Sequence, residues 1–165
     1  MTRRDVVKHL IDVYEAKNSD YGNSAHRTYV EFGEVALVIR ISDKLSRLNT
    51  LLTSGEQNVK DESVLDTIGD AITYLCMLCA DMDCDIPDLP DAERLEMDEN
   101  VETTILYLQT LEEKKLELPV PAEDVGQYRE LLIAIWKAIA DPEIRLEEYM
   151  NLAEQLLEEY IWRVS

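Results

Sequence analysis

The chain has 165 residues, 46% of them hydrophobic, and a formal net charge of −19. This length predicts one domain, or a core domain with an extension, and the hydrophobic content argues against a disordered chain. No apolar run reaches the ~18 residues of a transmembrane helix, and the opening sequence MTRRDVVKHL lacks the pattern of a signal peptide. We therefore expect a cytoplasmic protein without a membrane partner.

The negative charge is concentrated in the second part of the chain. Residues 1–60 contain 9 Lys and Arg against 8 Asp and Glu, whereas residues 61–165 contain 7 against 27. Such an acidic surface argues against binding nucleic acid, because it offers no basic field to the phosphates. Two interpretations of the acidic surface stay open: it serves solubility, or it imitates DNA and occupies a DNA-binding protein.

Apolar residues recur with helical spacing and predict an all-α fold of six helices. We expect these helices at residues 2–17, 29–53, 61–82, 94–116, 123–140 and 142–162. The stretch DCDIPDLPD predicts a linker at 84–93, because prolines and aspartates interrupt the helical pattern. The linker separates a helical domain, 1–83, from an acidic three-helix extension, 94–165, that packs on the first bundle or forms a dimer interface. Asp141 before Pro142 predicts the N-cap of the last helix.

The cysteines are predicted to be core residues. Cys76 and Cys79 form a C-x-x-C pair, but they lie on an apolar helical face in the stretch AITYLCMLCADM. A structural zinc site needs about four ligands, and the sequence offers no second pair and no nearby histidine.

Two rows of charged side chains are predicted on neighbouring helices. Arg40, Asp43, Lys44 and Arg47 follow helical spacing on the second predicted helix. Glu62, Asp66 and Asp70 recur every four residues on the third predicted helix. Like charges at this spacing destabilise an isolated helix, so we expect a cation to face the carboxylates, either the basic row or a metal ion.

An antiparallel pairing of these two helices about Gln57 sets Asp43 level with Asp70, and Arg47 level with Asp66. Carboxylates clustered in this way suit magnesium, which is often bound together with substrate phosphates. The surrounding cations suit phosphate oxygens. A salt-bridge zipper without catalysis uses the same residues, and an ion-pair ladder within the second helix explains the basic row equally well.

Three ordered motifs carry a resemblance to a known family. The stretches KNSDYGNS, RISDKLSRL and DESVLDTIGDAITYL, within residues 5–80, resemble the phage and bacterial nucleotide-modification-associated domain family. That family is similar to the MazG-like all-α nucleoside triphosphate pyrophosphohydrolases, which hold magnesium with an E-x-x-E pair on one helix and an E-x-x-D pair on the next. Asp70 stands at the aspartate of the second pair and Thr67 at its glutamate, while Arg40-x-x-Asp43 replaces the first pair.

The resemblance implies a MazG-like helical bundle with magnesium-dependent pyrophosphohydrolase activity on a ribo- or deoxyribonucleoside triphosphate, in a phage or prokaryotic homodimer or higher homo-oligomer. The expected magnesium ligands are Asp43, Glu62, Asp66 and Asp70, with Asp43 and Asp66 as catalytic residues, and the expected phosphate ligands are Arg40, Lys44 and Arg47. Alternative functions are nucleotide sequestration without turnover and inhibition of a DNA-binding protein.

The segment KNSDYGNSAHR, 17–27, is predicted to be an interhelical loop. Lys17, Asn18 and Tyr21 are about 15 Å along a helix from the predicted phosphate site, so they are expected to hold the base or sugar of a nucleotide. In the alternative interpretation Asn18 caps the first helix and Tyr21 packs against the bundle. His26 is expected to be a polar residue at a helix start.

Overall fold

The computed structural model describes residues 1–54, 63–84, 98–113, 125–141 and 143–164. Within these ranges the chain forms seven helices and no strand, which confirms the predicted all-α fold. In chain order the helices are α1 (Arg3–Asp20), α2 (Ser24–Phe32), α3 (Val35–Ser54), α4 (Val64–Asp83), α5 (Asp98–Glu113), α6 (Val125–Ala140) and α7 (Leu146–Val164). Of the predicted linker 84–93, only Cys84 lies within the described residues.

The second predicted helix, 29–53, is two helices separated at Gly33. Gly33 has φ 80° and ends α2, with its N–H bonded to the Tyr29 carbonyl. Glycine is the usual residue for this left-handed conformation at the end of a helix, because a Cβ atom disfavours it. The apolar periodicity continues across the break, so it predicted one helix where the backbone makes two.

The observed connection between the first two helices is shorter than the predicted loop 17–27. Helix α1 continues to Asp20, and α2 begins at Ser24. Between them Gly22 and Asn23 have φ values of 59° and 61°. Two successive left-handed residues turn the chain, so α1 and α2 are separate helices joined by a tight connection.

Helix α4 lies at the centre of the fold. It contacts α3, α5 and α7 extensively, and also α1 and α2. Most of its side chains are buried, including Ile68, Ile72 and Leu75, as expected for a helix that is apolar around its circumference. Gly69 allows α1 to pass close by, because a Cβ atom there would lie 3.0 Å from Leu10 Cδ2. A single hydrophobic cluster thus includes residues from both parts of the chain.

The three cysteines are buried and free, as predicted for core residues. Burial raises the pKa of the Cys76 thiol well above its usual value, so the thiol stays protonated and packs as a small apolar side chain. None of the described helices combines the length and apolar character needed to cross a membrane.

The last helix begins later than predicted. Helix α7 starts at Leu146 rather than at Pro142, which lies outside the described residues. Asp141 Oδ1 accepts a hydrogen bond from the Glu143 N–H at 2.9 Å, and the Asp141 carbonyl accepts one from the Ile144 N–H. Asp141 therefore closes a turn before the helix instead of capping the helix itself.

Candidate functional site

A cavity of about 380 Å³ opens between α1, α3 and α4. Lys17 is contributed by α1, Arg40 and Lys44 by α3, and Asp70 by α4. Arg40 and Lys44 are four residues apart and therefore share one face of their helix. The cavity thus receives charged groups from three separate helices, held by the packing of those helices rather than by a loop.

The carboxylate of Asp70 lies between two ammonium groups. Lys17 Nζ is 2.8 Å from Asp70 Oδ1, and Lys44 Nζ is 3.1 Å from Asp70 Oδ2. The side chain of Asp70 is 18% exposed and that of Lys17 is 52% exposed, so the cluster sits at the boundary between protein and solvent. Both carboxylate oxygens are engaged by cations, and the two lysines from α1 and α3 are joined through α4.

Lys17 is held in its charged form. Burial by itself lowers the pKa of Lys17, but the hydrogen bond to Asp70 and the negative charge of that carboxylate outweigh it, so the pKa lies above its usual value. Together with Arg40 and Lys44, the charged lining consists of three cations and one carboxylate, a formal balance of +2. In a chain of net charge −19, this cavity is a local positive region.

Most of the predicted nucleotide and phosphate residues line this cavity. Those present are Lys17, Asn18, Tyr21, Arg40 and Lys44, and Asp70, predicted as a magnesium ligand, lines it as well. The sequence reasoning missed Tyr14, Tyr74 and Met77, which form part of the same wall. Periodicity could have placed Tyr74 and Met77, since both follow Asp70 with helical spacing on one face of α4.

Three of the predicted residues are placed elsewhere. Asp43 is exposed on α3 and does not line the cavity. Asp66 forms a capping box at the start of α4, where its Oδ2 accepts from the Ser63 N–H at 3.1 Å. Arg47 Nε donates to Thr67 Oγ1 at 3.1 Å. The predicted register of α3 against α4 is confirmed to within one residue, since Lys44 contacts Asp70 and Arg47 contacts Thr67. The predicted contact of Asp43 with Asp70 is wrong, because Lys44, turned by about 100° on the helix, meets Asp70 instead.

The described residues do not fit the predicted magnesium site. Within the described part of the chain, no three His, Cys, Asp or Glu side chains form a group that could hold a metal ion. Asp70 has both oxygens on lysines, Asp66 is engaged in a helix cap, and Asp43 is exposed. The fourth predicted ligand, Glu62, lies outside the described residues.

Asn18 and Tyr21 border the cavity beside the first turn of α2. The side-chain amide of Asn18 donates to Asn23 Oδ1, so Asn23, the N-cap residue of α2, makes no side-chain cap to its own helix. Ser24, in the uncapped first turn, also lines the cavity. Tyr21 is 71% exposed, which contradicts the alternative that it packs against the bundle. Polar and aromatic groups therefore stand at the cavity mouth.

A buried hydrogen-bond network, which the sequence reasoning missed, lies behind the cavity. His26 Nδ1 is 2.6 Å from Asp81 Oδ1, and His26 Nε2 is 2.6 Å from Tyr14 Oη. Asn100 Nδ2 donates to the same Asp81 oxygen at 2.7 Å. His26 lies in the first turn of α2, as predicted, but it is 0% exposed, and its burial in a network was not predicted. The available signal was Asp81 itself, a carboxylate within the apolar stretch of α4.

The network joins four helices and fixes part of the cavity wall. With the imidazole proton on Nδ1 donated to Asp81, Nε2 accepts from the Tyr14 hydroxyl. Burial raises the pKa of Tyr14, so this hydroxyl stays protonated and remains a donor. Tyr14 lines the cavity, as does Ala25 next to His26. The network therefore sets the position of α1 and α2 relative to α4.

The chain was compared with protein-family models, with curated proteins and with solved structures, and none of the three comparisons gave a match. The resemblance to the nucleotide-modification-associated domain family thus rests on the three sequence motifs alone. Function is therefore inferred from the cavity and from the residues that line it.

Proposed function

We propose that this protein binds a nucleotide in the cavity between α1, α3 and α4. The observation that carries the proposal is the charge of the lining, a balance of +2 in a chain of net charge −19. A concave cationic region concentrates anions, because low-dielectric walls focus its field. The acidic remainder of the surface repels polyanions such as nucleic acid, so a small anion is the ligand that this charge distribution favours.

The cations suit phosphate groups. Each lysine ammonium has three donor hydrogens, and Asp70 engages one from Lys17 and one from Lys44. Four ammonium hydrogens and the guanidinium of Arg40 are then left for ligand oxygens. Arginine donates to phosphate in a bidentate arrangement, whereas lysine acts as a point charge. The lining supplies both kinds of donor.

The aromatic and polar lining suits a nucleoside. Tyr21 and Tyr74 offer ring faces on which a base can stack, and Val13 and Met77 supply apolar surface. Asn18 and Ser24 offer hydrogen-bonding groups to a base or sugar. The cavity volume of about 380 Å³ lies within the range of about 300–1,000 Å³ found for small-molecule sites.

Turnover of a nucleoside triphosphate to the monophosphate and pyrophosphate stays a prediction that derives from the family resemblance. Because the described carboxylates do not fit a resident magnesium ion, sequestration without turnover accounts for the described geometry equally well. A homo-oligomer likewise stays a prediction, and light scattering on the purified protein measures it directly.

The test is a calorimetric titration of the protein with ribo- and deoxyribonucleoside triphosphates, with and without magnesium, followed by chromatography of the products. We expect micromolar to millimolar binding that falls at least tenfold in Lys17→Met and in Lys44→Met. Lys8→Met is the matched control, since Lys8 is exposed on the same helix as Lys17 and lies outside the cavity. Monophosphate and pyrophosphate among the products establish the hydrolase.

Absence of binding to every nucleotide in the panel overturns the proposal. The inhibitor hypothesis then becomes the one to test, by measuring whether charge reversals at exposed acidic residues of α5 and α7, such as Glu102 and Glu147, abolish binding to a DNA-binding protein. Equal loss of nucleotide binding in Lys8→Met and Lys17→Met also contradicts the proposed location, because it indicates a general effect of charge.

A further inference from the structure

We propose that Asp70 is a specificity-determining residue, whose carboxylate limits the negative charge that a ligand can place between Lys17 and Lys44. This inference rests on the proposed function and names the selectivity of that site. It assigns Asp70 a role opposite to that of a metal ligand: the carboxylate opposes the charge of a phosphate chain rather than binding a cation that neutralises it.

Asp70 lies at the centre of the charged cluster. Its two oxygens contact Lys17 Nζ at 2.8 Å and Lys44 Nζ at 3.1 Å. It is the one carboxylate among the described residues that line the cavity. Lys17 and Lys44 come from different helices and repel each other, so the carboxylate between them also keeps the two ammonium groups close together.

The remaining donors determine how close a ligand comes to Asp70. A phosphate that accepts hydrogen bonds from the free hydrogens of Lys17 or Lys44 shares its nitrogen donor with Asp70. Hydrogen bonds of about 2.8–3.1 Å to a common nitrogen place the phosphate oxygens about 4–5 Å from the carboxylate. The ligand therefore need not displace Asp70, but its charge lies next to another negative charge.

The size of the repulsion makes it measurable. Two unit charges about 4 Å apart in water change a binding constant about fivefold, and by more where solvent is partly excluded. Asp70 is only 18% exposed, so full screening by water does not apply. Each negative charge that a longer phosphate chain adds near Lys17 and Lys44 is therefore penalised, and the wild-type cavity favours short chains more than its cations alone would.

Asp70→Asn tests this inference through a ratio of affinities. The substitution removes the negative charge at nearly constant side-chain shape. It also weakens the contacts that hold Lys17 and Lys44 in place, and this second effect lowers the affinity for all ligands alike. The ratio of the affinity for a longer phosphate chain to the affinity for a shorter one responds only to the removal of the charge. The probes are orthophosphate, pyrophosphate and tripolyphosphate, titrated calorimetrically at constant ionic strength in the presence of EDTA, so that no metal ion contributes.

We expect the ratio of tripolyphosphate to orthophosphate affinity to rise at least fivefold in Asp70→Asn. It should stay unchanged in Asp43→Asn, the matched control, which removes one negative charge from the exposed surface of α3. It should also stay unchanged in Asp70→Glu, which keeps the charge. If circular dichroism shows that Asp70→Asn does not fold, Asp70→Ser removes the same charge with a smaller side chain.

An unchanged ratio in the charge-removing variant, with wild-type binding intact, overturns the inference and leaves the proposed function standing. A ratio that changes equally in Asp43→Asn also overturns it, because the effect then comes from net charge. If the wild type binds neither these probes nor any nucleotide, the proposed function itself fails, and the inference fails with it.

Discussion

Two carboxylates on α4 have opposite surroundings. Asp70 and Asp81 are eleven residues apart, about three helical turns, and therefore lie on the same face of the helix about 16 Å from each other. Asp70 contacts two lysines at the edge of an open cavity. Asp81 contacts His26 and Asn100 in the interior, where all three side chains are buried.

The comparison teaches that burial, rather than residue type, separates a binding group from a structural one. The lysines beside Asp70 keep hydrogens that bond to no acceptor among the described residues, so a ligand can use them. The partners of Asp81 are enclosed, and its second oxygen, Oδ2, is buried without a hydrogen bond in the described part of the chain. A network of this kind fixes the arrangement of helices, because any other arrangement leaves a charge buried and unpaired.

The largest effect on stability is expected for Asp81→Ala. Removing the carboxylate leaves two buried donors, on His26 and Asn100, without their acceptor, and each costs about 1–3 kcal/mol of the free energy of unfolding. Urea denaturation followed by circular dichroism measures this loss. The matched control is Asp83→Ala, two residues further along α4 and exposed, for which we expect less than about 1 kcal/mol. Equal losses in the two variants would remove the distinction between buried and exposed carboxylates.

The second-largest effect on stability is expected for Tyr14→Phe. The substitution removes the hydroxyl that lies 2.6 Å from His26 Nε2 and leaves a buried nitrogen without a donor, at a cost of about 1–3 kcal/mol. The same urea titration measures it. Tyr74→Phe is the control, since the Tyr74 hydroxyl has no hydrogen bond in the described part of the chain, and we expect a change within about 0.5 kcal/mol. If Tyr14→Phe left the free energy of unfolding unchanged, the hydrogen bond from Tyr14 would not contribute to stability.

A smaller, pH-dependent effect is expected at a third carboxylate of α4. Burial raises the pKa of Asp66, but hydrogen bonds with the Ser63 side chain and backbone outweigh it, so the pKa lies below its usual value of 3.8. A depressed pKa stabilises the folded state above pH 3.8, and this stabilisation is lost as the pH falls through the lower, folded-state value.

Ser63→Ala tests this cap. We expect it to lower the free energy of unfolding at pH 7 by about 1 kcal/mol, the usual cost of losing an N-cap side chain. The difference from the wild type should narrow on acidification below pH 3.8, and urea denaturation at several pH values measures it. The matched control is Ser46→Ala, since Ser46 is exposed on α3 and is not a cap. A difference that persists unchanged at low pH would contradict the role of the Asp66 carboxylate.

The smallest effect on stability is expected for Lys17→Met. Exposed ion pairs contribute about 0–1 kcal/mol, and Lys17 is half-exposed. Urea denaturation should therefore change little, although the same variant is expected to lose ligand affinity at least tenfold. A stability loss as large as that of Asp81→Ala would mean that the cavity cluster is structural, and the difference between Asp70 and Asp81 would disappear.

The spacing of residues along each helix predicted only some of the residues that line the cavity. Helical spacing correctly grouped Arg40 with Lys44 and singled out Asp70, because positions on one helix are fixed by its geometry. The register between α3 and α4 was right to within one residue, but the residue facing Asp70 was wrong, since a rotation of about 100° about a helix axis exchanges Asp43 for Lys44. An antiparallel register estimated from a turn cannot fix such a rotation, which depends on how the apolar faces pack.

The sequence by itself determined the all-α fold, the apolar face of each major helix and the burial of the cysteines, because periodicity and hydrophobicity are local properties of the chain. Only the tertiary structure decided that Lys17 and Lys44 meet at Asp70 and that His26 lies against Asp81, 55 residues away. Such contacts depend on the relative rotation of helices that are distant in the chain. That rotation follows from the packing of the whole core rather than from any single segment.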